Sequence, residues 1–488
     1  MPTTPSAGAP ARKRRWLATL ASSLLPGLGQ VYLGNTRRAY LLFAVDALIL
    51  AVFVVGLSWF QLEILRAWVS LPALVGVMSV NVVLLAYRGA VTASTYSSAP
   101  PERPSPISAL GLSVAVVVVL APHVFIGYLA MVQYDLIDTV FPSAPVAAPA
   151  STTTTAVTTT TTAVGTAPEP TSTTTTPSTV PPTTTTTDPP IWDGLERLNI
   201  ALLGADAGEG RTGVRTDTTI VVSLDPDTGS TVMLSVPRDL SDAPLPPGMG
   251  VWDCDCFPDL ITHLYDSAER NPEAFPGPGE PPFNAIKGAL GEIFGMPIHY
   301  YAMVSLDGFV GVVDALGGVT IDVPKTIVDE IYPHEDGSTE NVVIEEGRRH
   351  LDGHLALAYS RIRRHSDDFA RMHRQRCVLA AMIDQTGPVD IVANFGELAA
   401  AIKENVTTDI PQDRLIDFVD LVPKVHTDQV ATLRITRDVY QTGSAPGRVY
   451  YDLDRIREDA QALIADPESA QETLGLSALD TACDQSFD

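Results

Sequence analysis

Five arginines, Arg215, Arg238, Arg361, Arg363 and Arg371, sit in short motifs with acidic or polar companions. The motifs read Arg215-Thr-Asp217, Pro237-Arg238-Asp239, Arg361-Ile-Arg363 and Asp368-Phe-Ala-Arg371-Met-His-Arg374-Gln375. A guanidinium is a planar fork of donors that matches two phosphate oxygens at once. The first 190 of 488 residues hold nine Lys/Arg and seven Asp/Glu of totals of 32 and 57, which leaves 23 and 50 for the rest, near −27. A nucleic-acid binder needs a broad basic face, and so acidic a body cannot easily supply one, so no nucleic-acid partner is expected. A compact phosphate site is the reading for the set. For any one arginine the competing reading is a surface pair with one of the many carboxylates.

The spacing adds detail. Arg215 and Asp217 share a face if extended, as do Arg361 and Arg363. Arg371, Arg374 and Gln375 fall at i, i+3 and i+4, on one helical face, and Asp368 lies one turn before them at a helix start, where the helix adds positive potential. Converged, these groups would hold a diphosphate. Asp206 ends one expected strand and Asp217 begins the next; two carboxylates at the edge of a phosphate site suggest Mg²⁺. Asp239 is the one further carboxylate that could act as a base. No Ser/His/Asp triad is present, and His350, His365 and His373, though near the motifs, read as surface or structural histidines.

These motifs need elements to carry them. Strands are expected at Leu198–Leu203, Thr218–Leu224, Thr231–Val236, His299–Val304 and Val319–Val323, with a turn at Asp225-Pro-Asp-Thr-Gly229. Helices are expected at Phe283–Phe294, Gly308–Leu316, Leu351–Tyr359 and Phe369–Gln385, the last capped by Asp367 or Asp368. The mixture predicts an α/β fold, an α/β/α sandwich around a mixed sheet, over residues 191–466. The Pro/Gly-rich stretch Asp242–Pro282 reads as a long loop, and 467–488 as a tail. All four cysteines follow residue 190, as suits an oxidising exterior. Cys254 and Cys256 look too close to bridge each other, so each is expected to pair with Cys377 or Cys483; a zinc site on Cys-Asp-Cys lacks a second cysteine pair.

A helical membrane region, residues 1–141, precedes this domain. Apolar runs cover Trp16–Leu33, Ala39–Phe60, Ala67–Tyr87 and Ile107–Tyr134, and a span needs about 20 apolar residues. The first run is broken by Pro26, Gly27 and Gly29. Basic residues at 12–15 and at Arg37 and Arg38 place both its ends in the cytoplasm, which makes it re-entrant and leaves three crossings. The chain then exits outward after Tyr134. Asp46, within a span, is either functional or a helix-interface residue. Residues 142–190 are dominated by Thr, Pro and Ala and read as an extended, disordered linker that O-glycosylation would suit. In polyproline II form it would reach about 150 Å.

From Leu198 to Gln385, and more loosely to Ile464, the chain resembles the LytR-CpsA-Psr family of cell-wall glycopolymer transferases. The resemblance rests on Leu198-Asn-Ile-Ala-Leu-Leu-Gly-Ala-Asp206, Arg215-Thr-Asp-Thr218, Leu234-Ser-Val-Pro-Arg-Asp239, Asp314-Ala-Leu-Gly-Gly-Val319, His350-Leu-Asp-Gly353, Ala356-Leu-Ala-Tyr-Ser-Arg-Ile-Arg363 and Asp368 through Gln375, in that order and spacing. It implies an apolar groove for a polyprenyl-pyrophosphate-linked glycan. Arg215, Arg238, Arg361, Arg363, Arg371 and Gln375 would sit on the pyrophosphate, with Mg²⁺ on Asp206 and Asp217. It also implies transfer of the phospho-glycan to peptidoglycan at the membrane. A pyrophosphatase on the same substrate and a non-catalytic glycan binder are the alternatives. The chain departs from the family in having Leu260-Ile-Thr262 where Lys-Ile-Asn is usual, and in having more than one span.

Overall fold

The computed structural model describes residues 14–59, 61–143, 190, 192–206, 213–333, 338–364, 368–385, 391, 393–425 and 430–474. The Thr-rich linker expectation therefore falls outside the described residues for all but its ends.

The first apolar run forms two short helices, α1 (Arg15–Leu24) and α2 (Leu28–Leu33), broken at Gly27. Neither is long enough to cross a bilayer. Gly27 has φ +101°, a conformation that costs a side chain but not glycine. Three helices are long and apolar enough to span: α3 (Thr36–Trp59), α5 (Leu71–Ser98) and α6 (Pro106–Val140), with the short α4 (Gln61–Trp68) between the first two. Asp46 accepts a 3.2 Å hydrogen bond from the Tyr87 hydroxyl, so it serves a helix interface.

The rest is built on a six-stranded mixed sheet. Its strands are β1 (Leu198–Ala205), β2 (Thr216–Leu224), β3 (Thr231–Val236), β6 (Tyr300–Ser305), β11 (Val406–Thr408) and β12 (Ala431–Arg434), ordered β11-β6-β1-β2-β3-β12. β1 runs parallel to β6 and β3 parallel to β12; the other pairings are antiparallel. The β2–β3 turn is the expected one: Gly229, at φ +78°, donates to the Asp225 carbonyl at 2.8 Å, and a Cβ there would strike the Lys424 carbonyl at 1.8 Å.

Strand alternation divides the sheet between two layers. Ala201, Leu203, Val221 and Leu234 face the main core, which α7 (Leu264–Arg270), α8 (Pro281–Phe294) and α15 (Leu453–Ala465) complete. Leu202, Ile220, Val222 and Met233 face the other way, against Leu379 and Ala380 of α11 (Asp368–Gln385). The molecule is thus the expected α/β/α sandwich. A second core lies under α9 (Leu306–Ala315), α10 (Gly353–Arg361), β7 (Val319–Val323), the hairpin β8 (Ile327–Pro333) with β9 (Thr339–Ile344), and β10 (Gly347–Leu351).

Three expectations change. The stretch read as a long loop holds β4 (Ser241–Pro244), β5 (Cys256–Leu260) and α7, and buries Phe257, Leu264 and Phe275; its prolines and glycines lie between these elements and mask them. The helix read at Leu351–Tyr359 starts at Gly353, because Asp352 caps it by accepting from the Leu355 amide at 2.8 Å. The stretch read as a tail begins with α16 (Pro467–Leu474), whose Ala470 is buried in the main core. The cysteine pairing is also corrected. Cys254 and Cys256 bridge each other, with Cα atoms 5.1 Å apart. That lies within the ordinary disulfide range, because the chain bends through 250–255 instead of running extended. Cys377, fully buried, is in a disulfide of its own.

Candidate active site

The cleft forms where one end of the sheet opens. The β1–β2 register pairs Gly204 with Thr218 but Ala205 with Thr216, so Asp217 is the extra residue of a β-bulge. A bulge re-aims a side chain, and Asp217 lines a cleft of about 280 Å³ together with Arg215, Arg238, Asp239, Leu260, Thr262, His263, Arg363 and Arg437. Asp206 borders this end: its amide donates to the Arg215 carbonyl at 2.8 Å.

Inside the cleft, Arg238 Nη1 donates to Asp217 Oδ1 at 2.6 Å. The same oxygen accepts a longer bond, 3.4 Å, from Thr262 Oγ1. Thr262 thus forms part of the cleft wall beside Asp217. Both oxygens of Asp239 are engaged, one by the Arg437 guanidinium and one by the Tyr451 hydroxyl at 3.0 Å. The bond to Asp239 holds Arg437 more firmly protonated than usual, while burial, then Asp239, pushes the Tyr451 hydroxyl up.

Of the residues singled out in the sequence, the cleft gathers Arg215, Asp217, Arg238, Asp239 and Arg363. Others act from behind it. Arg371 donates to the Asp217 carbonyl at 3.0 Å, and Gln375 to Thr218 Oγ1 at 2.9 Å, so α11 clamps the strand that carries the bulge. Arg374 donates to the Tyr359 carbonyl at 2.7 Å and to the Ile362 carbonyl, closing off the end of α10 just before Arg363. Arg374, expected to touch a substrate, is 7% exposed, bonds these two carbonyls and does not line the cleft. Arg361 lies beside the Tyr332 hydroxyl, which burial pushes up and Arg361 pulls back, and it does not line the cleft. Asp239, expected as a base, lines the cleft and pairs with Arg437. Asp368 opens α11, and its side chain lies outside the described residues.

Arg437 escaped the sequence reading although its signal was present. Arg238-Asp239 follows β3 and Arg437-Asp438 follows β12, and these strands are parallel neighbours in which Ser235 pairs with Arg434. Two Arg-Asp pairs therefore leave one sheet end side by side.

Among the described residues no three His, Cys, Asp or Glu side chains cluster. Asp217 lines the cleft and Asp206 adjoins it through its backbone amide; both carry hard carboxylate oxygens, and among the described residues no sulfur lines the cleft. That set fits Mg²⁺, which takes few protein ligands and fills its shell from phosphate and water.

Comparison with known proteins bears on the same residues. Residues 153–462 match the model of the LytR_cpsA_psr family. The chain belongs to this family. It is 32% identical over 231 residues to the polyisoprenyl-teichoic acid–peptidoglycan teichoic acid transferase TagU of Oceanobacillus iheyensis, covering 45% of this chain and 61% of that protein. It is 28% identical over 268 residues to TagV of Bacillus subtilis, a transferase of the same description, covering 52% and 61%. The chain thus spans less than two thirds of the length of these LytR_cpsA_psr relatives. The crystal structure of B. subtilis TagV aligns with a TM-score of 0.38 at 24% identity, covering 58% of this chain and 98% of that one.

Proposed function

We propose that the cleft binds the diphosphate of a polyprenyl-linked glycan and transfers the phospho-glycan to a peptidoglycan hydroxyl. The acceptor oxygen attacks the phosphorus next to the sugar, the bond from that phosphorus to the bridging oxygen breaks, and polyprenyl phosphate leaves with the bridging oxygen, taking up the proton that the hydroxyl loses. The observation that carries this reading is the convergence of Arg215, Arg238, Arg363 and Arg437 on one cleft in a domain near −27. Family membership and the transferase names of the relatives support it.

Phosphoryl transfer depends mainly on positioning and charge stabilisation. The four guanidinium groups hold the diphosphate oxygens, and in the resting cleft their charge is partly balanced by Asp217 and Asp239, which a phosphate can replace as partners. Mg²⁺ held by Asp206 and Asp217 would add positive charge against the leaving phosphate. The isoprene units would take an apolar surface, for which the partly buried Leu202, Val222 and Leu379, between the sheet and α11, are the candidates. The chain crosses the membrane three times in this reading, with the domain outside the cytoplasm.

The test uses the full chain in lipid discs with a polyprenyl-diphosphate-linked oligosaccharide, Mg²⁺ and a peptidoglycan oligomer. Mass spectrometry should find the oligosaccharide joined to peptidoglycan through one phosphate, together with polyprenyl phosphate. Free sugar phosphate without the joined product would show hydrolysis instead.

A further inference from the structure

The domain does not stand away from the membrane region. It packs on it, through segments that the charge distribution independently places outside the cytoplasm. Helix α12 (Phe395–Asn405) lies against α6, and α13 (Leu415–Leu421) against α4. Trp68 meets Phe395 edge to face with ring centres 5.9 Å apart. Leu415 packs on the cluster of Leu74, Ala130 and Ile137. Arg66 pairs with Asp420 at 2.7 Å and Lys403 with Asp135 at 2.5 Å. The Tyr128 hydroxyl sits so close to Gly396 that a Cβ there would lie 2.6 Å from it.

The dimensions agree. A 35-residue helix is about 52 Å long, well beyond a hydrocarbon core of about 30 Å. The carboxyl-terminal turns of α6, which carry Asp135 and Ile137, therefore protrude on the outer side, and α4 joins two spans on that same side. Both flanks of the linker also meet the domain at one place. The Pro142 carbonyl accepts from the Gln412 amide at 3.1 Å, and Trp192 packs with Phe418 and Leu421. A segment long enough to reach about 150 Å thus begins and ends beside residues 412–421. A body near −27 gains no general attraction from an anionic lipid surface, so specific contacts must hold it there.

We infer that the outer ends of α4 and α6 are a docking platform for α12 and α13, and that the domain takes its donor while seated on it. This rests on the lipid-linked donor proposed above. Seating keeps the domain beside the bilayer that holds the donor's prenyl chain.

The test places a protease site in the linker of the full chain and compares it with the same chain carrying Gly396→Trp. Gly396 is in the first turn of α12, remote in sequence from every cleft residue, and replacing a helical glycine does not weaken the helix. After cleavage in native membranes, the domain should sediment with the membranes and co-purify with the membrane region in mild detergent. Gly396→Trp should release most of it. Release of the unsubstituted domain on cleavage, or equal retention with Gly396→Trp, would overturn the inference. In the uncut proteins, Gly396→Trp should lower transfer from a long-chain donor in the bilayer about tenfold and leave transfer from a water-soluble short-prenyl donor unchanged. Equal rates with both donors would overturn the role in donor capture. No transfer with either donor, in either protein, would count against the transferase reading and leave the sedimentation result standing.

Discussion

Arg215, Arg238, Arg363 and Arg437 open onto the cleft, whereas Arg371, Arg374 and Arg376 of α11 are 4%, 7% and 1% exposed. In the first group, Arg238 and Arg437 rest on carboxylates, a pairing that an anionic ligand can exchange. The second group reaches neutral oxygens: the carbonyls of Asp217, Tyr359 and Ile362, and the Thr432 hydroxyl, which Arg376 reaches at 2.8 Å. Arg376 loses so much hydration that its guanidinium falls to about 9, with Arg434 adding to the fall. One residue type thus does two jobs, and what separates them is burial and partner. The exposed set offers charge to a ligand, and the buried set holds the strand and loop that carry it.

Substitutions should break this contrast in opposite ways. The largest effect belongs to Arg238→Ala, which should cut transfer about 10²–10³-fold, as removing one preorganised donor at developing charge does, while the melting temperature stays within about 2 °C. Next, Arg374→Ala should cost about 2–4 kcal/mol of stability by leaving buried carbonyls without their donor. Denaturant unfolding would show it, with residual activity following the folded fraction. If Arg374→Ala instead left stability intact and abolished transfer, the division would be wrong.

A smaller effect should appear with pH. His373 is held down to about 3 by burial, then by Arg376, Arg434 and Arg374, and His299 to about 4 by burial, then by Lys287. Both folded values lie below the unfolded value near 6.5. The unfolded chain therefore binds more protons between about pH 4 and 6.5, and stability falls as pH drops through that window, by about 1.4 kcal/mol per unit for each histidine. Above 6.5 neither contributes. Unfolding of His373→Gln at pH 5 and 7 should show about half the slope. The smallest effect expected is that of Thr262→Ala, whose 3.4 Å bond to Asp217 supports less than about a threefold change in transfer.

Much of this contrast can be read along the chain, and the part that cannot has physical causes. Strand alternation and turn chemistry locate β1, β2 and β3, and the Arg-Thr-Asp and Pro-Arg-Asp motifs lead to the cleft. Helical spacing puts Arg371, Arg374 and Gln375 on one face, as observed, but spacing does not say whether that face meets ligand or protein. The bulge at Asp217 depends on pairing with a strand ten residues upstream. Arg437 enters the cleft only because β12 pairs in parallel with β3 across nearly 200 residues. The Cys254–Cys256 bridge needs a local bend that a proline-rich reading does not resolve.

The most direct measurement is binding of a short-chain prenyl diphosphate to the full chain by calorimetry, with and without Mg²⁺, in the unsubstituted protein, Arg238→Ala and Arg349→Ala. The Arg349 side chain is 42% exposed and pairs with Glu345 and the Glu346 carbonyl, away from the cleft lining. The cleft account predicts Mg²⁺-dependent binding that weakens at least about tenfold in Arg238→Ala, the cost of one charged hydrogen bond, and is unchanged in Arg349→Ala. Equal affinity in all three proteins would contradict it.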